Sequence, residues 1–264
     1  MPALEAPRLP LAGLHVLNTR PVGRSHPLDQ ALTAAGALIS SLPLLETIPS
    51  DMSPADRRKL MDLDRYRAVF VVSPTAAELG LDALQEYWPQ WPVGQAWIAV
   101  GHATARVLER SGLAPWVPAL ETSEGVTTLP PLAALQAGDR VLVLRGEGGR
   151  NLVRDWLQSR AVLVDYLDLY QRRLPEEAAG QWGRIVAVGE PDVVVLTSGE
   201  SLRHWLAVAG ESARRIPALL ISDRLADQAR SAGIRTILTA AGTQPDQILL
   251  TLQAWRKEAG RGID

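Results

Sequence analysis

The sequence predicts an α/β fold: parallel sheets with helices on both faces, laid down twice along the chain. Three observations carry this. Short apolar runs alternate with helical stretches throughout, the pattern of parallel strands joined by crossover helices. The stretch Arg140–Arg173, RVLVLRGEGGRNLVRDWLQSRAVLVDYLDLYQRR, reads as strand, glycine-rich turn, helix and strand, and Leu14–Glu46 reads the same way. Arg20 and Arg145 stand 125 positions apart (145 − 20), as do Ser73 and Ser198 (198 − 73), while Gly112 and Gly233 stand 121 apart (233 − 112). A period this long is no solenoid; it is one internal duplication. With 264 residues, two domains are expected rather than one core.

Each element has its own signal. Residues 1–13 are rich in Pro and Ala and read as a loose arm. Leu14–Thr19 is a strand, Ser25–Ala35 a helix closed by Gly36, and Ala37–Ile48 one long extended segment. Ser53 caps a helix over Pro54–Leu63, with Pro at its first position. Ala68–Val72 and Trp97–Val100 are strands, each running into a helix, and Trp116-Val117 is a short strand. Ser123–Leu135 is helical but interrupted by Pro130-Pro131. Val141–Leu144 is a buried parallel strand, followed by a helix at Arg150–Ser159 and a second overlong strand at Ala161–Tyr170. Glu176–Arg184 is a helix weakened by Gly180 and Gly183. Then strands at Asp192–Thr197, Ala218–Ser222 and Arg235–Thr239 alternate with helices at Glu200–Ala209, Arg224–Ala232 and Pro245–Ala259.

Composition removes several classes of function. Net charge is −2 and the pI is about 6.1, which argues against non-specific nucleic-acid binding. The chain has no cysteine, so zinc thiolates and thiol nucleophiles are excluded. There is no GxxxxGK[ST] loop, and the spacing of Gly146, Gly148 and Gly149 does not match GxGxxG. Only two lysines occur, Lys59 and Lys257, and neither sits in an apolar run suited to a Schiff base. The histidines, His15, His26, His102 and His204, lack metal-ligand spacing, and structural or exposed positions are expected for them. No signal peptide and no membrane-spanning run are read, so a cytoplasmic protein is expected.

Ligands bind such sheets at the turns that follow the strands. Those turns carry Thr19-Arg20, Ser73-Pro74, Gly101 with Thr104, Arg145-Gly146 with Gly149-Arg150, and Thr197-Ser198-Gly199. Each lies at an expected helix N-terminus, where free N–H groups and the helix dipole favour anions. An N-cap is the simpler reading of any one Ser or Thr. The set of them points to a ligand cleft. Tyr170, beside Arg172 and Arg173, is either a packed strand aromatic or a neutral proton donor.

Taken together and in order, these pieces resemble the uroporphyrinogen-III synthase family: Thr19-Arg20-Pro21, Ser73-Pro74, Val100-Gly101-x-x-Thr104, Arg145-Gly146-x-x-Gly149-Arg150, Tyr170 with Arg172, and Thr197-Ser198-Gly199. The resemblance runs from about Leu14 to Trp255. It implies two flavodoxin-like domains, at 1–39 plus 172–264 and at 47–163, joined by a two-stranded antiparallel ribbon at 40–46 and 164–171. The implied reaction closes the linear tetrapyrrole hydroxymethylbilane to uroporphyrinogen III, with loss of water and inversion of ring D. No cofactor or metal is implied, nor any nucleic-acid or membrane partner, and a monomer is expected. Tyr170 matches the family tyrosine proposed to protonate the departing hydroxyl, Thr104 matches a family threonine in the cleft, and the turn residues are expected to bind the substrate's carboxylates. The rival reading is a two-lobed α/β binding or sensing module without catalysis.

Overall fold

The computed structural model describes residues 9–148 and 152–260. The chain begins with β1 (His15–Asn18), α1 (Val22–Ala34), β2 (Leu38–Ser41) and β3 (Glu46–Pro49). Next come α2 (Pro54–Met61), β4 (Ala68–Val71), α3 (Pro74–Gln85), β5 (Ala96–Ala99) and α4 (His102–Arg110). Two single-turn helices, α5 (Ser123–Val126) and α6 (Pro130–Ala133), lead to β6 (Arg140–Gly146), α7 (Leu152–Gln158) and β7 (Leu163–Arg173). The remainder is α8 (Ala178–Val188), β8 (Val193–Leu196), α9 (Gly199–Ala209), α10 (Ser212–Arg215), β9 (Ala218–Leu220), α11 (Asp223–Ser231), β10 (Ile237–Thr239) and α12 (Pro245–Gly260).

The chain forms two compact units. One takes the chain up to Glu46 and again from Arg173; the other is Thr47–Arg172. The first holds a sheet in the order β10-β9-β8-β1-β2, with each neighbouring pair parallel. The second holds β3-β7-β6-β4-β5, in which β7, β6, β4 and β5 run parallel. Each sheet mixes the two sequence copies: β1 and β2 pair with β8–β10, and β6 and β7 pair with β4 and β5. Each sheet also reverses its strand order at one place, between β1 and β8 in the first and between β6 and β4 in the second.

Strand alternation explains the layering. In the first unit Val16, Val193 and Val195 face Leu28 and Leu32 of α1 and Ile248 and Leu252 of α12. The intervening Leu17, Val194 and Leu196 face Trp182, Trp205 and Leu225 on α8, α9 and α11. In the second unit Val69, Val71, Leu142 and Leu144 pack with Ala77, Leu81 and Leu84 of α3. Phe70, Val141 and Val143 face the other way, onto Leu132, Val153 and Leu157. Every core strand is therefore covered on both faces, which is why these runs are apolar throughout.

Several elements differ from expectation. The segment Ala37–Ile48 is two strands in two different sheets. Leu42 donates to the Asn18 carbonyl as the last regular step beside β1, Leu44 donates to Thr19 one residue short of the next step, and both bury their side chains around Pro43, where the chain leaves this sheet. Ser123–Leu135 is two separate turns, split where Pro130 starts α6. Trp116 makes only an isolated parallel bridge to Ile98. The capping box at Ser53 is present, with Asp56 as its reciprocal partner. Gly149 and Arg150 lie outside the described residues.

Candidate active site

Tyr170 sits where β7 bulges. Arg145 pairs with Asp168 and Gly146 with Tyr170, so Leu169 is the extra residue and the alternation of β7 slips by one. Tyr170 thereby joins Leu167 and Leu169 on the α3 face instead of pointing to the opposite one. Its side chain is 3% exposed. The phenol oxygen lies 3.0 Å from Ser73 Oγ and accepts a hydrogen bond of 3.3 Å from the Arg172 guanidinium. Ser73 follows β4 and caps α3, accepting from the Ala76 N–H at 3.0 Å. Gly146 provides the floor: a Cβ there would come 2.5 Å from Tyr170 Cζ. The constellation Ser73, Gly146, Tyr170 and Arg172 thus stands at the strand-order reversal of this sheet, the place where open α/β sheets form a ligand crevice.

The other residues of this unit divide. Gly101 and Thr104 open α4 beside these strands, with Thr104 1% exposed. A Cβ at Gly101 would come 2.7 Å from Glu121 Cδ, so the Glu121 carboxylate lies against this helix start. Arg145 points to the opposite face of the sheet from Tyr170. It pairs with Asp168 at 2.7 Å and lies 3.9 Å above the centre of the Tyr166 ring. Burial raises the Tyr166 phenol above its ordinary pKa, and the Arg145 charge partly opposes this. Sequence reasoning placed Arg145 among ligand contacts; in the fold its charge is already matched.

The first unit builds an equivalent corner at its own reversal. Thr19 is 1% exposed and its hydroxyl donates to the Val195 carbonyl at 2.6 Å, tying β1 to β8. The Arg20 guanidinium donates to the Thr243 carbonyl. Burial pulls Arg20 below its ordinary pKa while Asp29 opposes, and an arginine so placed stays charged. Thr197-Ser198-Gly199 opens α9, where Ser198 and Ser201 form a reciprocal capping box. Ser73 and Ser198 are therefore counterparts in the two sequence copies, each an extended N-cap, the first after β4 and the second after β8. Sequence reasoning missed Asn18, which is fully buried. Its amide donates to Asp29 at 2.7 Å and its carbonyl oxygen accepts from the Arg20 N–H at 3.1 Å. A polar residue ending an apolar strand was the available signal.

A cavity of about 640 Å³ in the first unit lies at the start of β1, against α8, lined by His15, Leu38, Ser40, Gln181 and Arg184. It contains none of the turn residues. Among the described residues no group of His, Asp and Glu is arranged to hold a metal ion, and no helix is long and apolar enough to cross a membrane.

Two α/β units, each with polar turns at the carboxyl ends of its parallel strands, and a buried phenol held between a serine and an arginine, define an open-sheet α/β protein with a candidate ligand site at its strand ends. The comparisons with known proteins place it further. The family model for uroporphyrinogen-III synthase HemD matches residues 26–249. The uroporphyrinogen-III synthase of Salmonella typhimurium is 31% identical over 254 residues, spanning 91% of this chain and 100% of that protein. The synthase of Escherichia coli is 30% identical over the same shares. The chain belongs to the uroporphyrinogen-III synthase family. The fold agrees: a mutant uroporphyrinogen III synthase from Thermus thermophilus superposes with a TM-score of 0.62 at 16% identity, covering 93% of this chain and 100% of that one. The Helicobacter pylori enzyme gives 0.59 at 14% identity, covering 92% and 99%.

Proposed function

We propose that this chain is a uroporphyrinogen-III synthase that closes hydroxymethylbilane to uroporphyrinogen III, with Tyr170 as its proton source. Family membership supports the reaction and does not favour a non-catalytic binding module. The environment of Tyr170 carries the residue assignment. A phenol placed between Ser73 and the Arg172 guanidinium gives up a proton beside a fixed positive charge, so the phenolate left behind is stabilised. Loss of the hydroxyl gives an azafulvene, and ring D attacks through its substituted carbon to form a spiro intermediate that fragments and recloses.

The substrate's many carboxylates suit the turns at Thr19-Arg20, Ser73, Gly101 and Thr104, the backbone of Arg145-Gly146, whose arginine side chain is already paired, and Thr197-Ser198-Gly199. Helix N-terminal N–H groups with a few Ser, Thr and Arg bind carboxylates without a dense basic surface. Each unit is a flavodoxin-like domain in this reading, supported by the strand order, which in both sheets reads second, first, third, fourth in copy terms. The two chain crossings near Glu46 and Arg173, joined by a 2.8 Å ion pair, form the connecting ribbon.

The test supplies hydroxymethylbilane to the purified protein and identifies the product isomer. Uncatalysed closure joins ring D through its free carbon and yields isomer I. Isomer III from the wild type confirms the reaction; isomer I alone overturns it. Tyr170→Phe is expected to slow turnover by roughly 10²–10⁴ while its enzymatic product remains isomer III. A folded Tyr170→Phe protein with the parent rate removes the tyrosine from the mechanism.

A further inference from the structure

We infer that Ser73, not Tyr170, is the group that hands the proton to the leaving hydroxyl, with Tyr170 recharging it from behind. The inference rests on the reading of Tyr170 as proton source and follows from where each proton in the cluster must point. The phenol oxygen accepts from Arg172, and a phenol has one proton to give. Tyr170 is 3% exposed, and among the described residues its only hydrogen-bond acceptor is Ser73 Oγ, 3.0 Å away. Pointing that proton elsewhere leaves a buried donor unmatched, which costs about 1–3 kcal/mol. Donation from Tyr170 to Ser73 is therefore the favoured arrangement. Ser73 Oγ then accepts twice, from Tyr170 and from the Ala76 N–H at 3.0 Å. Both of its acceptor positions are filled, and its own O–H is left to donate outward.

Accessibility points the same way. Tyr170 is buried, whereas Ser73 is half-exposed at the carboxyl end of β4. The cluster is a directed chain, Arg172 to Tyr170 to Ser73, whose open end is a serine hydroxyl at a helix N-terminus.

The step balances. The bond between the hydroxymethyl carbon and its oxygen breaks with the electron pair going to oxygen, which takes the Ser73 proton and leaves as water. The pyrrole nitrogen lone pair fills the carbon and gives the protonated azafulvene. Ser73 takes the Tyr170 proton in the same movement, leaving a phenolate beside the Arg172 cation. After ring closure the substrate sheds one proton from carbon, and the phenolate recovers it along the same path. No oxidant, reductant or metal enters.

The test compares Ser73→Asn, Ser73→Thr, Tyr170→Phe and the Ser73→Asn/Tyr170→Phe double variant by turnover of hydroxymethylbilane. Asn keeps the helix cap and removes the hydroxyl, and Thr keeps both, so a folding defect at α3 is separated from loss of the relay. Ser73→Asn is expected to lose kcat by the same roughly 10²–10⁴ as Tyr170→Phe. Ser73→Thr recovers at least about tenfold of that loss. The double variant is no slower than the slower single, because residues acting as one unit are not additive. The kcat of the wild type in mixtures of H2O and D2O should curve downward, as two moving protons require. Ser73→Asn with near-parent kcat beside a slow Tyr170→Phe overturns the relay and leaves the tyrosine as direct donor. Multiplying losses in the double variant, or a linear isotope dependence, also overturns the relay. A parent-rate Tyr170→Phe overturns the tyrosine reading itself.

Discussion

Gly146→Ala tests the packing that aims Tyr170. Gly146 has no unusual backbone conformation; its φ is not among the positive values. The constraint is close approach. An added Cβ would stand 2.5 Å from Tyr170 Cζ and 2.9 Å from Cδ2, about 1 Å inside ordinary carbon contact. The obstacle is a buried ring on a paired strand, not the free end of a flexible chain, so the ring must shift. A shift of about 1 Å stretches the 3.0 Å contact with Ser73 beyond hydrogen-bond range. Overpacking of this kind costs about 1–3 kcal/mol, which lowers Tm by roughly 2–12 °C for a protein of this size. The catalytic cost is larger in proportion: misplacing a reacting group by about 1 Å removes on the order of 10²-fold in rate. The assay pairs a thermal melt with turnover of hydroxymethylbilane measured well below the melt. A Gly146→Ala protein with parent Tm and parent rate refutes the argument that this glycine makes room for the tyrosine.

Arg145→Ala is expected to lower kcat/KM by less than about tenfold, because the guanidinium is already paired with Asp168 and stacked on Tyr166; loss of all turnover in a folded variant makes Arg145 a dominant ligand contact instead. Tyr66 donates to Asp165 at 2.9 Å, and burial with that bond raises its pKa above the ordinary phenol value. Its contribution to stability is therefore complete below about pH 10 and is lost as pH rises through the folded value. Tm measured from pH 8 to 12 should fall more steeply in the wild type than in Tyr66→Phe, and parallel curves exclude Tyr66 as the source.

Alternation of apolar runs with helices, the repeat linking Arg20 to Arg145 and Ser73 to Ser198, and the N-cap at Ser53 are local or periodic properties. They were legible in the sequence because side-chain period, turn chemistry and capping act within a few residues. So was the family, through turn residues that keep their order. The partition of the chain was less open to reading. Ala37–Ile48 has the composition of one strand, yet it divides between two sheets around Pro43, and which strands Leu42 and Leu44 then cover depends on packing remote in sequence. The site divides in the same way. That Arg145 faces Asp168 and Tyr166 follows from the regular pairing of β6 with β7, whereas Tyr170 faces Ser73 only through a one-residue bulge in β7 that no local pattern announces. Strand period alone puts Leu169 and Tyr170 on opposite faces. Only pairing against β6, with Gly146 clearing space for the ring, turns Tyr170 toward Ser73, because a bulge sets two residues of one strand against one of its neighbour and so exists only once the two strands pair.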